Sequence, residues 1–267
     1  MTTDSHQRAR KRFGQNFLHD RYVIEKIIRA ISPQPDQVIV EIGPGKGAIT
    51  RLLLPACKTL HVIEIDRDLV HDLQAEFADS PNLKIHNYDA LQVDYCQLTN
   101  EQSLRLVGNL PYNISTPLLF HIVESMDCIH DMYFMLQKEV VNRLSAQPGS
   151  KTYGRLSIMM QYYCQVESLF DVAPGSFTPA PNVNSSIVRL TPHQDRPVTV
   201  RDVNDFRQLV TQAFNMRRKT LRNALKKLLS EAEIAACDVD PTLRPEMLTI
   251  QDYARLSDAV SERKQVE

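Results

Sequence analysis

The stretch VIVEIGPGKGA, residues 38–48, is the strongest indication of the fold. It opens with four β-branched apolar residues around Glu41, a composition typical of a buried strand. Glycines follow at once, and they allow backbone N–H groups to approach a ligand closely at the start of the next helix, Ile49–Leu54. A strand that runs through such a loop into a helix predicts the first β-α unit of a nucleotide-binding α/β sheet.

The glycine loop fits two different cofactors. With Ala48 in the last place it satisfies the G-x-G-x-x-G/A fingerprint of nicotinamide dinucleotide enzymes. It also suits the E-x-G-x-G-x-G pattern of S-adenosylmethionine methyltransferases. A Walker phosphate loop is excluded, because Lys46 is followed by Gly47 rather than by Ser or Thr. Gly43 and Gly45 are the candidate cofactor contacts in this loop.

Outward from this loop, short β-rich runs alternate with stretches of helical spacing. Such alternation indicates βαβ units and a mostly parallel sheet. We therefore predict an α/β fold with a Rossmann-like, seven-stranded sheet, in which the last two strands form an antiparallel pair at one edge. The predicted strands are Val38–Ile42, Leu60–Ile65, Leu83–Asn87, Leu104–Asn109, Met132–Leu136, Val166–Val172 and Ser186–Leu190.

The pattern changes around Pro192–Pro197, and from Val203 onward it predicts helices only. We therefore expect a basic N-terminal segment at 1–12, an α/β domain at 13–193 and a small all-helical domain at 194–267. The formal net charge is only −1, but two basic clusters favour an anionic partner. These clusters contain Arg10, Lys11 and Arg12, and then Arg217, Arg218, Lys219, Arg222, Lys226 and Lys227.

The five cysteines are scattered and include no C-x-x-C pair, so we expect neither a disulfide framework nor a metal site. The N-terminus lacks the apolar core of a signal peptide, and no apolar run approaches the ~18 residues that a membrane span needs. We therefore expect a cytoplasmic protein without a membrane partner.

Polar side chains follow three further strands at their C-terminal ends, the edge where open α/β sheets bind ligands. Glu64 ends the second strand and can accept both hydroxyls of a ribose; Asp66 and Asp68 are nearby competitors. Asp89 follows the third strand, where it suits either an adenine amino group or a helix N-cap. Asn109 ends the fourth strand.

Asn109 opens the sequence Asn-Leu-Pro-Tyr, which combines an amide, a backbone carbonyl fixed by Pro111 and the aromatic face of Tyr112. This set can accept hydrogen bonds from a flat exocyclic amine while stacking on its ring, without a metal or a nucleophile. The alternative is an ordinary strand-ending turn, since Asn and Pro are common turn residues.

Together these motifs resemble the rRNA adenine N6-dimethyltransferase family, and within it the bacterial small-subunit, kasugamycin-resistance type. The resemblance covers almost the whole chain. It rests on Phe13–Leu18 as cofactor lid, Glu41–Gly47, Glu64, Asp89, Asn109–Tyr112 as catalytic motif, Phe177–Val183 and Arg217–Asn223.

The resemblance implies dimethylation of the N6 amino group of adenosines, two of them adjacent, in 16S rRNA of an immature small ribosomal subunit. It implies a monomer that uses S-adenosylmethionine as its cofactor. The residues implied to contact this cofactor are Gln15, Asn16, Leu18, Gly43, Gly45, Glu64, Asp89 and Asn109. The implied catalytic residues are Asn109, Leu110, Pro111, Tyr112 and Phe177. Pro179 and Pro181 favour a surface loop over a buried site for Phe177, which is expected to sandwich the flipped base together with Tyr112.

In the helical domain, spacing predicts one helix that carries Arg218, Arg222 and Lys226 on a single ridge. The ridge is either a solvated face or a phosphate contact. Three other functions stay open: a large-subunit rRNA methyltransferase, an assembly factor whose binding role outweighs catalysis, and a nicotinamide oxidoreductase.

Overall fold

The computed structural model describes residues 15–98, 103–216 and 218–266. Nine strands lie within these ranges, and the main sheet agrees with the predicted set to within a few residues at each end. The strands are β1 (Phe17–Leu18), β2 (Val38–Ile42), β3 (Thr59–Ile63), β4 (Leu83–His86), β5 (Leu104–Asn109), β6 (Ile129–Gln137), β7 (Cys164–Val172), β8 (Phe177–Thr178) and β9 (Ser185–Pro192).

Ten α-helices connect and follow these strands within the described ranges. They are α1 (Arg21–Ile31), α2 (Thr50–Leu53), α3 (Arg67–Glu76), α4 (Ser115–Ile122), α5 (Lys138–Leu144), α6 (Arg155–Tyr163), α7 (Val203–Asn215), α8 (Leu221–Ala224), α9 (Glu231–Ala236) and α10 (Ile250–Val266). Among the helices described, none is long and apolar enough to cross a membrane.

Seven strands form the main sheet, in the order β4-β3-β2-β5-β6-β9-β7. The neighbours from β4 to β6 are parallel, whereas β9 pairs antiparallel with β6. All five residues of β2 are buried, as expected of a central strand that is covered on both faces. The predicted seven-stranded, mostly parallel α/β sheet is confirmed, and its parallel strand ends meet at one edge.

A second, two-stranded ribbon has no counterpart in the sequence prediction. Strand β1 pairs antiparallel with β8, so that Leu18 lies opposite Phe177. The backbone N–H of His19 extends the ribbon by donating to the Ser176 carbonyl at 3.0 Å. The Ser176 hydroxyl donates to Asp20 Oδ2, also at 3.0 Å. The ribbon therefore ties the start of the described chain to the segment before β9.

The chain divides into two compact units, 1–141 with 167–192 and 142–166 with 193–267. The last of the three breaks, between 192 and 193, lies at the predicted boundary. The prediction was wrong for 142–166, which it placed in the α/β domain. Because the chain passes into the helical unit within α5 and back within β7, a single boundary along the sequence cannot separate the two units.

Within the helical unit, the predicted ridge of Arg218, Arg222 and Lys226 is not formed. Helix α7 ends at Asn215, and Arg218 has a φ of 66°, a left-handed conformation that interrupts a right-handed helix. Helix α8 then lasts four residues only. Leu221 and Leu225 are fully buried and belong to the apolar core.

Two of the scattered cysteines, Cys96 and Cys128, form a disulfide across a sequence separation of 32, so the expectation of no disulfide was wrong for this pair. The two 3₁₀ segments that carry them, Tyr95–Leu98 and Val123–Cys128, pack against each other. A spacing rule cannot detect such a pair, since only the tertiary structure brings it together.

Candidate active site

A deep cleft lies at the C-terminal ends of the parallel strands and encloses about 1180 Å³ of space, part of it open to solvent. The glycine loop, the ends of β3 and β5, the turn after β4 and the segment before α1 all contribute to its wall. Its lining includes most residues predicted to contact a cofactor or a substrate base: Gln15, Asn16, Leu18, Gly43, Gly45, Glu64, Asp89, Asn109, Leu110, Pro111 and Tyr112.

Glycine is required at one position in the cleft wall and at another just behind it. Gly45 has a φ of 57°, and a Cβ added there would lie 3.1 Å from the Phe17 ring. At Gly108, just before Asn109, a Cβ would lie 2.5 Å from the Ile42 carbonyl oxygen, an approach that no side chain permits. Glycine at these positions allows the Phe17 ring to close over the loop and the end of β5 to lie against β2.

Glu64 is 7% exposed, and its carboxylate accepts a hydrogen bond from the Asp66 N–H at 2.9 Å. Burial raises the pKa of this carboxyl. Asp66, the competing candidate, instead caps α3 through the Asp68 N–H and accepts from the Gln15 amide at 3.1 Å. Only Glu64 of the three acidic residues lines the cleft, as the sequence predicted.

Asp89 takes the helix N-cap role and also lies at the wall of the cleft. Its Oδ1 accepts from the Leu91 N–H at 2.9 Å and caps a short 3₁₀ helix. The residue also lines the cleft, so the cap holds the carboxylate in place at the wall. Tyr88, which precedes Asp89 in the chain, is 63% exposed, and Ile65, which follows Glu64, is 47% exposed. Both residues line the cleft and were not predicted as site residues, although Ile65 directly follows Glu64 and Tyr88 directly precedes Asp89.

Glu41 also lines the cleft; the sequence analysis placed it in the Glu41–Gly47 loop but not among the predicted cofactor contacts. Its side chain is buried, and its Oε2 accepts from the Thr50 hydroxyl at 2.6 Å. Burial raises the pKa of Glu41 to about 7. An acidic residue inside the otherwise apolar strand β2 was the available signal, since buried carboxylates usually have a specific partner.

Asn109 is held in one orientation by the N-terminal segment. Its Nδ2 donates to the Asn16 carbonyl oxygen at 3.0 Å. Because the amide nitrogen is used in this way, its Oδ1 is the atom that remains to accept from a ligand. Gln15, Asn16 and Leu18 therefore lie where the lid was predicted, and one of them positions the predicted catalytic amide.

Two carbonyl oxygens follow Asn109, and the structure distinguishes them. The Pro111 carbonyl accepts from the Ile114 N–H at 3.1 Å and closes the turn before α4. The Leu110 N–H donates to the Met135 carbonyl in β6 at 3.2 Å, and the Leu110 side chain is 1% exposed. Strand β6 thus anchors Leu110, which makes its carbonyl the better candidate for a second acceptor at the cleft.

Tyr112 lines the cleft as predicted, and its ring is half-buried. Its hydroxyl lies 2.7 Å from the hydroxyl of Ser185 in β9. Burial raises the pKa of the Tyr112 phenol, so the ring is neutral near pH 7.

The expectation that Phe177 lies on a surface loop was wrong. Its side chain is 3% exposed and belongs to the apolar core, and it does not line the cleft. The cause is the β1–β8 ribbon, which pairs Phe177 with Leu18 and draws its ring inward. The prolines at 179 and 181 do mark an exposed or half-exposed segment, but it begins after Phe177.

The predicted RNA contacts lie apart from the cleft residues in the chain. Arg10, Lys11, Arg12 and Arg217 lie outside the described residues. Arg218, Lys219, Arg222 and Lys226 are exposed, and Arg222 forms an ion pair with Glu231 at 3.3 Å. Throughout 15–98, 103–216 and 218–266 we find no cluster of three His, Cys, Asp or Glu side chains that could hold a metal ion.

The sheet order and the cleft at its C-terminal edge define a Rossmann-like methyltransferase. Residues 6–262 match the model of the ribosomal RNA adenine dimethylase family, and the chain belongs to that family. It is therefore an rRNA adenine dimethyltransferase, and the nicotinamide oxidoreductase hypothesis is excluded.

Three comparisons illustrate this membership. The chain is 54% identical over 264 residues to the ribosomal RNA small subunit methyltransferase A of Pseudomonas syringae pv. tomato, covering 98% of each chain. The crystal structure of a dimethyladenosine transferase from Plasmodium falciparum is 25% identical with a TM-score of 0.75, over 90% of this chain and 95% of that one. The 23S rRNA methyltransferase ErmE shares the fold, with 23% identity and a TM-score of 0.69 over 92% and 100% of the two chains.

Proposed function

We propose that this enzyme transfers two methyl groups to the N6 nitrogen of each of two adjacent adenosines in 16S rRNA, within an immature small ribosomal subunit. Relatives at about half sequence identity carry the small-subunit methyltransferase name. The observation that carries the chemistry is the Asn109 amide: the residue lines the cleft, and because its nitrogen donates to the Asn16 carbonyl, its oxygen is the atom left to accept a hydrogen bond. The enzyme acts in the cytoplasm, as a monomer.

S-adenosylmethionine is the cofactor that the cleft fits best. Among the described residues that line it, Glu64 and Asp89 are acidic, Glu41 is a third carboxyl that its raised pKa leaves partly protonated near pH 7, and Lys46 is basic. Such a wall suits a ligand with a sulfonium and an ammonium group, whereas a dinucleotide pyrophosphate would meet an excess of negative charge. When bound, this cofactor supplies an activated methyl group, so the protein's task is orientation and electrostatics. Glu64 would hold the ribose hydroxyls, and Asp89 the adenine amino group.

Asn109 and Leu110 would act on the acceptor nitrogen of the target base. This nitrogen is a poor nucleophile, because its lone pair is delocalised into the purine ring. Hydrogen bonds from its N–H groups to Asn109 Oδ1 and to the Leu110 carbonyl would favour a pyramidal nitrogen and free that lone pair. The Pro111 carbonyl is less suitable, because the turn already uses it. After transfer the nitrogen is acidic and loses its proton to water, so no strong base is needed.

Tyr112 would stack on the base after the base has left its helix. Stacking of a base on an aromatic side chain contributes roughly 1–3 kcal/mol. Phe177 would complete the sandwich only if the β1–β8 ribbon opens, since its ring is buried in the core of the closed form. Support for a stacking role is therefore stronger for Tyr112 than for Phe177.

The helical unit would recognise the RNA backbone. The exposed side chains of Arg218, Lys219, Arg222 and Lys226 can contact phosphates without forming a helical ridge. Arg10, Lys11, Arg12 and Arg217 would join them. Phosphate contacts position the RNA and make its binding salt-dependent, while the base is recognised at the cleft.

A direct experiment compares both ribosomal subunits as substrates. Small and large subunits from a strain that lacks this modification are incubated with the enzyme and labelled S-adenosylmethionine, and the modified nucleosides are mapped by mass spectrometry. We expect N6,N6-dimethyladenosine at two adjacent positions of 16S rRNA and no label in 23S rRNA. Label in 23S rRNA alone would instead support the large-subunit alternative, and growth rescue by a catalytically inactive variant would support the assembly-factor alternative.

A further inference from the structure

We propose that Ser185, at the start of β9, is a positioning residue for the target base, because its hydroxyl fixes the phenol end of Tyr112 at the wall of the cleft. The inference rests on the proposed function, since it assumes that a base stacks on Tyr112. It adds a residue from outside the Asn-Leu-Pro-Tyr motif to the machinery of the reaction.

The contact is short and enclosed. The Tyr112 hydroxyl and Ser185 Oγ are 2.7 Å apart, and 73 positions separate the two residues in the chain. Ser185 is 0% exposed. A buried hydroxyl without a partner is unfavourable, because it loses its hydrogen bonds to water. The phenol therefore has a strong preference for the one position that satisfies Ser185.

The other end of Tyr112 is fixed by its own turn. Its carbonyl accepts from the Ser115 hydroxyl at 3.1 Å, and the preceding carbonyl, that of Pro111, accepts from Ile114 N–H at 3.1 Å. These bonds hold the backbone but leave the ring torsion, which has a broad energy profile in tyrosine. The Ser185 contact supplies the constraint at the far end of the ring.

The anchor and the amide that accepts the target nitrogen belong to one sheet. Ser185 lies opposite Gln137 of β6, and β6 also pairs with β5, where Met135 lies opposite Asn109. The Tyr112 ring, through Ser185, and the Asn109 oxygen are thus both positioned by strand β6. A small displacement of a bound base relative to the reacting group reduces the rate strongly, so positioning by one common strand favours methyl transfer.

Ser186 provides a matched control on the same strand. It is 1% exposed, and its hydroxyl donates to Asp171 Oδ1 at 2.5 Å. Replacing Ser185 or Ser186 by Ala removes one buried hydroxyl and one hydrogen bond in either case. Only the first replacement frees Tyr112, so the pair separates positioning of the base from general stability of β9.

The test measures single-turnover methyl transfer to small subunits that lack the modification, with S185A, Y112F, the double variant and S186A. Cofactor binding is followed by calorimetry with S-adenosylhomocysteine, and unfolding by urea. We expect S185A and Y112F each to slow transfer about three- to tenfold, since each removes one hydrogen bond of ordinary strength. Cofactor affinity should not change. The double variant should be no slower than the slower single variant, because both changes remove the same contact.

S186A should lose stability comparable to S185A and keep the wild-type rate. Equal rates for S185A and S186A, or multiplying losses in the double variant, would overturn the proposal. If S185A does not fold, the rate of Y112F alone tests the proposed role of Ser185. A wild-type rate of methyl transfer by Y112F would then overturn the proposal. Wild-type enzyme that transfers no methyl group to the subunit would contradict the proposed function instead, so the two failures are distinct.

Discussion

The side-chain amide of Asn109 donates from Nδ2 to the backbone carbonyl of Asn16 across a distance of 3.0 Å. The bond joins the end of the central strand β5 to the segment that covers the cleft, 93 positions earlier in the chain. It determines which end of the amide is presented to a ligand. The position of this segment and the orientation of the predicted catalytic amide are therefore coupled by one hydrogen bond.

The ribbon that holds this segment closed can be weakened at a single hydroxyl. Ser176→Ala removes the hydrogen bond to Asp20 Oδ2, and Asp20 also caps α1 through its Oδ1. We expect a three- to tenfold loss of affinity for S-adenosylhomocysteine, the effect of one hydrogen bond of about 0.5–1.5 kcal/mol, measured by calorimetry.

Ser261→Ala is the matched control for this variant. Its hydroxyl is buried to a similar degree and donates to a carboxylate, Asp205 Oδ2, at 2.7 Å, but it belongs to the helical unit. It should leave cofactor affinity unchanged. Equal affinity in both variants would show that the ribbon does not control closure.

Glu64 is expected to require its negative charge. Glu64→Gln should weaken cofactor binding about 10- to 100-fold, because a charge-assisted hydrogen bond contributes about 1.5–3 kcal/mol. Since burial raises the pKa of Glu64, wild-type affinity should fall as the pH is lowered through that raised value. Calorimetry across pH measures both effects. Asp68→Asn, at an exposed position in the first turn of α3, should change neither affinity nor its pH profile.

Glu41 should make the free enzyme less stable as the pH rises. Its pKa is about 7 in the folded chain against an ordinary value of 4.5, so between these values the folded state binds more protons than the unfolded state. Stability contributed by its protonated form is present below about pH 4.5 and declines until about pH 7, by about 3 kcal/mol in total.

Glu41→Gln should abolish this part of the decline while the Thr50 hydroxyl keeps an acceptor. Urea unfolding at several pH values between 5 and 8 provides the measurement. A variant and a wild type with parallel pH profiles would show that Glu41 titrates normally in the folded protein.

The RNA contacts in the helical unit predict a change in salt dependence. Arg218→Ala and Lys226→Ala should each reduce the slope of log affinity against log salt concentration by about one, as expected for loss of one phosphate contact. Filter binding to unmodified small subunits at several salt concentrations measures the slope. Lys84→Ala, an exposed lysine on the edge strand β4, should leave it unchanged. An unchanged slope in all three variants would show that Arg218 and Lys226 do not contact RNA phosphates.

The sequence predicts those parts of the molecule that local patterns encode. β-branched runs and glycines place β2 and its loop, and polar residues at strand ends place Glu64, Asp89 and Asn109 at one edge of a parallel sheet. To predict these features, it is enough to know the neighbouring residues in the sequence and the rule that the C-terminal ends of parallel strands lie at one edge of the sheet.

Structural features that depend on contacts between residues far apart in the sequence could not be predicted from local patterns. The pairing of β1 with β8 involves two residues on each side, too few for a periodic signal, and it is what buries Phe177. The excursion of 142–166 into the helical unit and the Cys96–Cys128 disulfide likewise depend on tertiary contacts. The left-handed turn at Arg218 ended a helix that spacing alone would have continued.

If Asn109 Oδ1 activates the target nitrogen, substitution of this residue should slow methyl transfer without preventing cofactor binding. Formation of N6,N6-dimethyladenosine in unmodified small subunits is compared for wild type, Asn109→Ala and Asn109→Asp, with calorimetry as a control for cofactor binding. Asp retains an acceptor but has no N–H for the Asn16 carbonyl, so it should not restore the wild-type rate. We predict that Asn109→Ala loses about 100- to 1000-fold in rate, the range for removal of one preorganised polar group, with a far smaller change in cofactor affinity. Dimethylation by Asn109→Ala at the wild-type rate would contradict the account.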